Sequence, residues 1–244
     1  MRIIRKFRTI RLRLSAIHDE LPMNDASDRK PPLSTALIGG SFDPVHLGHL
    51  HLVHCVATYT GYERILLVPV AMNNFKQNGH RPAPPDDRLA MLRLAVDGYR
   101  ELYPADPRFD LIIDSCELDR GGVSYTYDTV RYIYDAYAVE GRVAVVMGDD
   151  LLEGLPRWHR FDELKRIADF VVCKRTEACG HVPSELLRGA RIRYIDNAVF
   201  EDSATLIRDR LGAFPVPEAL PGDVASLMPK KVADYVQSRH LYRT

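Results

Sequence analysis

The chain carries no net charge, one tryptophan and no closely paired cysteines, and each lack closes off a class of function. Its 33 Lys and Arg balance 33 Asp and Glu, so it has no overall electrostatic footprint of a dedicated nucleic-acid binder. Four cysteines, at 55, 116, 173 and 179, form no C-x-x-C pair, and three of them sit inside apolar segments. They read as buried thiols of a reducing compartment, which points to the cytoplasm. Cys173, Cys179 and His181 match the spacing of no common metal site. No apolar run approaches the ~18 residues that span a bilayer, so integral membrane association is not expected. There is no internal repeat. Neither the Gly-Lys-Ser/Thr ending of a Walker loop nor the third glycine of a dinucleotide fingerprint follows the chain's glycine pair.

What is present centres on Gly39-Gly40-Ser41-Phe42-Asp43-Pro44-Val45-His46-Leu47-Gly48-His49. The apolar run Ala36-Leu37-Ile38 leads into it, and the apolar-periodic residues Leu50, Leu52, Val53, Val56 and Ala57 follow. The pattern predicts strand, tight turn and helix, which brings backbone N–H groups and a helix N-terminus to a bound phosphate. The glycines allow close backbone approach, and the two histidines add donors where the helix dipole already favours negative charge. Four of the nine histidines (His46, His49, His51, His54) lie within this short span. A zinc helix would need a Glu between its histidines, and none is there. With a helix beginning near Leu47, His51 points about 200° away from His49. His46 and His49 are therefore expected to face the phosphates, with His51 and His54 packed or on the surface.

The remaining chain alternates in a βαβ manner after a separate N-terminal stretch. Residues 1–34 hold six basic and no acidic residues in their first fourteen positions, with Ile3, Phe7, Ile10 and Leu14 on one helical face. A transit peptide or membrane-surface helix is one reading of this stretch. An upstream start codon ahead of Met23, or a loose tail, is the preferred one, with Asn24–Ser34 as linker. Residues 35–244 read as one domain with a C-terminal helical part. Strands are expected at Arg64–Pro69, Phe109–Ile113, Val143–Met147, Phe170–Cys173 and Ile192–Ile195. Helices are expected at Asp86–Val96 and Thr126–Tyr137, with a terminal helix over Val224–Tyr242. Continuous apolar strands separated by helices imply an α/β fold with a parallel sheet covered on both faces. Ligands then bind beyond the strand C-terminal ends, where the polar motifs fall.

The Gly-Gly-x-Phe-Asp-Pro-x-His-x-Gly-His stretch resembles the signature of the nucleotidyltransferases that join a phosphate monoester to a nucleoside triphosphate, and most of all that of bacterial nicotinate-nucleotide adenylyltransferases. Ser203-Ala204-Thr205-Leu206-Ile207-Arg208 resembles the family's second signature, Ile-Ser-Ser-Thr-x-Ile-Arg, with Asp202 in place of Ile and Ala204 in place of the second Ser. Ser124-Tyr125-Thr126 and Leu155-Pro156-Arg157-Trp158 are similar to the segments that meet the pyridine ring. The resemblance covers roughly residues 36–243.

It implies a Rossmann-like nucleotidyltransferase that transfers an adenylyl group from ATP to nicotinate mononucleotide, a step in NAD biosynthesis. His46, His49, Arg208 and Lys76 would be catalytic. Gly39, Gly40, Ser41, Phe42, Gly148, Asp149, Ser203 and Thr205 would join His46, His49 and Arg208 in binding ATP. Thr126, Trp158 and His159 would bind the pyridine nucleotide, with the Trp158 indole stacked on its ring. Lys76 is carried over alone from its loop, because Asn73-Asn74-Phe75 replace the family's usual residues there. Mg²⁺ would come in on ATP without dedicated protein ligands. Nicotinamide or dual specificity, a pantetheine-phosphate adenylyltransferase and a non-catalytic nucleotide sensor are the alternatives. A homo-oligomer stays open.

Overall fold

Short, continuous apolar runs build the centre of the molecule. In the computed structural model, which describes residues 31–71, 82–175, 185, 187–198, 203–213 and 220–243, six strands form one sheet. They are β1 (Leu33–Gly40), β2 (Arg64–Pro69), β3 (Asp110–Ile113), β4 (Val139–Gly148), β5 (Ala168–Cys173) and β6 (Ile192–Ile195). Every pairing is parallel, in the order β3-β2-β1-β4-β5-β6. The order reverses between β1 and β4, and that reversal opens the crevice in which doubly wound sheets bind ligands.

The pleat sorts the strand side chains into two cores, because successive residues of a strand face opposite ways. Ala36, Ile38, Ile65, Leu67, Ala144, Val146, Val171 and Cys173 share one core with buried residues of α1 (Leu47–Thr60), α2 (Pro85–Asp97), α3 (Tyr99–Leu102), α7 (Ala204–Gly212), α8 (Gly222–Ala225) and α9 (Lys230–Ser238). Leu37, Leu66, Val68, Val145, Met147, Phe170 and Val172 share the other with α4 (Cys116–Arg120), α5 (Thr126–Ala136), α6 (Phe161–Ile167) and the 3₁₀ turns of Asp149–Arg157. Helices therefore cover both faces, as the sequence implies. No helix among the described residues is long and apolar enough to cross a membrane.

One expected element is corrected. The span Val224–Tyr242 is not a single helix: α8 ends at Ala225, and α9 starts only after Pro229. Proline has no N–H to donate and its ring collides with the preceding turn, so it ends one helix and heads the next. Beyond α9 the chain turns, with His240 and Tyr242 at positive φ (52° and 64°). The basic N-terminal stretch lies outside the described residues, and β1 begins at Leu33, two residues before the expected start of the domain at Thr35.

Candidate active site

The signature loop leaves β1 at the edge of the crevice. The register pairs Ile38 with Val146, so two residues on along each strand Gly40 and Gly148 close β1 and β4. Above Gly39 there is open space, whereas a Cβ on Gly40 would lie 3.3 Å from the Phe42 ring. That ring is buried and folds back over Gly40, with Phe42 at φ 46°. A Cβ on Gly148 would run into the Asp150 carboxylate and the Arg175 side chain. Both glycines thus leave room for the side chains that lie over them.

His46 stands at the N-cap of α1 in extended conformation and His49 lies in its first turn. The His46 backbone N–H donates to His49 Nδ1 at 3.2 Å, and the two rings lie 3.9 Å apart between centroids. With Nδ1 accepting, the neutral His49 ring carries its proton on Nε2. The helix N-terminus is narrower than the sequence pattern suggests. The Leu47 N–H is taken by the Leu227 carbonyl at 2.9 Å and the His49 N–H by the His46 carbonyl at 3.0 Å, which leaves the Gly48 amide for an incoming anion.

The second signature opens α7, where Ser203 Oγ accepts from the Leu206 N–H at 3.1 Å. Its Arg208 reaches the first signature directly: Nη1 donates to the Asp43 carbonyl at 2.6 Å while Nη2 donates to Thr205 Oγ1 at 3.1 Å. Two motifs 165 residues apart in sequence are thereby one structure. Ala204, where the family has Ser, is the first residue of α7. Asp202 and Lys76 lie outside the described residues.

A second group forms beside the first. Ser124 Oγ accepts from the Ala71 N–H at 3.3 Å, just past β2, and the Tyr125 ring stacks on His159 with centroids 4.2 Å apart. Thr126 begins α5, whose N-cap side chain supplies no hydrogen bond; the Asp128 N–H is taken by the Tyr125 carbonyl at 3.0 Å, which leaves the Thr126 and Tyr127 amides without an intrahelical acceptor. Trp158 is half-buried and packs against the core on the same side of the sheet. Asp149, at the end of β4, is buried, and its Oδ1 accepts from the Arg175 N–H at 3.0 Å.

Sequence reasoning missed two contributors. Arg88 in α2 is fully buried, and its Nη1 donates to the carbonyls of Ser41 at 2.9 Å and Val70 at 2.8 Å, tying the exits of β1 and β2 together. Burial pulls its pKa down, while nearby Asp43 opposes that shift. A signal for it exists: Arg88 falls on the stripe of Met91, Leu92 and Ala95 that the helix buries. The other is Asp43, whose buried carboxylate receives the Ala83 N–H at 3.0 Å and the Tyr242 hydroxyl at 2.7 Å.

Elsewhere on α1, His54 Nδ1 meets Asp106 Oδ1 at 2.7 Å and its ring stacks on Tyr103. His51 Nε2 lies 3.5 Å from Cys55 Sγ, and burial, then neighbouring His54, lowers its pKa. Both histidines are engaged in these contacts within and beside α1. Burial raises the thiol pKa of Cys55 to about 11 and of Cys173 to about 12. At neutral pH these groups are protonated and unreactive. Cys179 lies outside the described residues.

Comparison with known proteins places this geometry. The cytidylyltransferase-like family model matches residues 37–210. A probable nicotinate-nucleotide adenylyltransferase of Treponema pallidum (strain Nichols) is 34% identical over 221 residues, covering 87% of this chain and all of its own. One of Pseudomonas putida (strain W619) is 33% identical over 226 residues, covering 85% and 94%. The chain belongs to the nicotinate-nucleotide adenylyltransferase family. It shares its fold with the Plasmodium falciparum nicotinic acid mononucleotide adenylyltransferase solved in complex with NaAD (TM-score 0.64, 17% identity, covering 86% of this chain and 97% of that one). As a nicotinate-nucleotide adenylyltransferase the chain is a nucleotidyltransferase, and both of its signature segments meet at the β1 end of the crevice.

Proposed function

We propose that this adenylyltransferase joins ATP to nicotinate mononucleotide, giving nicotinate adenine dinucleotide and pyrophosphate. A phosphate oxygen of the mononucleotide attacks the α-phosphorus of ATP, and the bond to the departing pyrophosphate breaks. The attacking phosphate monoester has a second pKa near ~6 and is already largely dianionic at neutral pH, so no general base is needed. The obstacle is bringing two polyanions together in line, which calls for preorganised donors and positive charge. The observation that carries the reading is the contact of Arg208 with the Asp43 carbonyl, which sets a guanidinium beside the His46–His49 loop.

His49 supplies an Nε2–H to the phosphates because its Nδ1 is engaged by the His46 amide. Arg208 grips the same anion with its planar fork. Gly39 and Gly40 admit the triphosphate close to the backbone, and Ser203 and Thr205 turn hydroxyls toward it. Asp149 accepts from ribose hydroxyls. Lys76 adds a further positive charge. Thr126, Trp158 and His159 take the pyridine ring and its substituent. Mg²⁺ enters as part of the ATP complex, ligated by phosphate oxygens and water. The buried thiols fit a cytoplasmic setting.

Pyrophosphate release tests the reading, with ATP and each of three acceptors: nicotinate mononucleotide, nicotinamide mononucleotide and phosphopantetheine. Rapid release is expected with the first, and none with phosphopantetheine. Release with phosphopantetheine alone, or with no acceptor, overturns the proposal.

A further inference from the structure

The signature loop is held from a distant part of the chain. Asp43 is 2% exposed, yet its carboxylate lies at the meeting point of three separate segments. Its Oδ1 accepts the Ala83 amide, just ahead of α2, and the Tyr242 hydroxyl at 2.7 Å. Its carbonyl accepts Arg208 Nη1 at 2.6 Å. The Tyr242 hydroxyl therefore orients the same residue whose main chain orients the guanidinium.

Backbone strain marks both ends of this contact. Phe42, next to Asp43, is at φ 46° and Tyr242 is at φ 64°. Non-glycine residues seldom occupy that region, and those that do are held there by their surroundings. Further contacts fasten the tail to the same neighbourhood. The Tyr235 hydroxyl and Arg239 Nε both donate to Asp87 Oδ1, at 2.8 and 3.2 Å. Arg88, the next residue, clamps the Ser41 and Val70 carbonyls. Burial, and then the Asp43 carboxylate, push the Tyr242 phenol well above its ordinary pKa, so it remains a donor throughout the physiological range.

We propose that Tyr242 is a positioning residue for ATP: its hydroxyl fixes Asp43, and Asp43 aims Arg208 at the triphosphate. The inference rests on the adenylyl-transfer reading for the identity of the anion. Tyr242 itself touches no substrate and acts through Arg208. Removing its hydroxyl leaves the ring in place but takes away one of the two ties on the Asp43 carboxylate, so the stretch of main chain whose carbonyl receives Arg208 is held less firmly and the guanidinium loses its fixed bearing. A charge-assisted hydrogen bond of this kind is lost together with the alignment it imposes.

The test measures binding of a non-hydrolysable ATP analogue by calorimetry, in the full chain and without acceptor. Tyr242→Phe keeps the apolar ring and is the first variant. Arg208→Met, alone and combined with Tyr242→Phe, completes the cycle. Tyr242→Phe is expected to weaken analogue binding about tenfold in the wild-type background, and by less than about twofold once Arg208 is gone. In steady-state assays the KM for ATP should rise while the KM for nicotinate mononucleotide stays within about twofold, a split that general destabilisation does not produce. Equal losses in both backgrounds, or unchanged analogue affinity in Tyr242→Phe, overturn the inference. A wild-type chain that binds the analogue but forms no dinucleotide overturns the functional reading alone. A tenfold loss on removing the Tyr242 hydroxyl would still support the positioning role.

Discussion

The phosphate-donor role proposed for His49 depends on what its other nitrogen accepts. The His46 amide on Nδ1 sets the tautomer, so one ring both caps α1 and turns an N–H outward. His49→Ala removes that donor and is expected to lower kcat by ~100-fold or more, the scale for one preorganised transition-state donor. Circular dichroism should remain that of the wild type, and turnover within threefold of wild type would exclude the role. Arg88 works differently, through two carbonyls and no substrate. Arg88→Met keeps the buried volume but leaves both acceptors without their donor. Each unsatisfied buried group costs ~1–3 kcal/mol, so with two of them urea unfolding should show a loss of about 2–6 kcal/mol. A midpoint equal to that of the wild type would show that water replaces the guanidinium.

Among the elements, legibility followed apolar continuity. The sequence reading places β2 and β6 at their observed bounds, since Arg64–Pro69 and Ile192–Ile195 are bracketed by turns. β4 starts four residues earlier than its apolar run, because Val139 and Glu140 pair with Leu33 and Ser34 across a register shift. α4 and α6, at five and seven residues, are too short to show a helical period. In the site, the two signature loops were readable because they are contiguous. Arg88 escaped because a charged residue in a helix reads as solvent-facing. Asp43 and Tyr242 escaped because 199 residues separate them.

The N-terminus of α5 carries its own expectation at this scale. A carboxylate only accepts hydrogen bonds, whereas a carboxamide also donates. The amides opening α5 are donors, so a carboxamide N–H facing them would go unpaired, at ~1–3 kcal/mol. Asp128 is the acidic residue in the first turn of the same helix. Nicotinate mononucleotide is expected to be used at least about tenfold more efficiently, in kcat/KM, than the nicotinamide form. Equal efficiencies would show that Asp128 or a neighbouring carbonyl turns toward the substituent.

At the scale of the whole molecule, the first strand among the described residues begins at Leu33, where β1 pairs with β4. A chain starting at Met23 retains residues 23–32 ahead of that strand and every group assigned to the site. It is expected to be soluble, with kcat and KM within about twofold of the full chain. Loss of soluble protein, or of activity, would mean that the basic stretch contributes to the domain.

The ties on Asp43 also set an order of events in folding. They span 165 and 199 residues of chain, and contacts of such separation carry a large loop-closure entropy until the intervening sheet has shortened the path. Parallel strands must dock before either tie can form. Refolding from urea should then restore far-ultraviolet ellipticity first, and affinity for nucleotide in a later, slower step. The loop proposed to hold the phosphates is the most local feature of the sequence, yet it is expected to be among the last parts of the protein to reach its working shape.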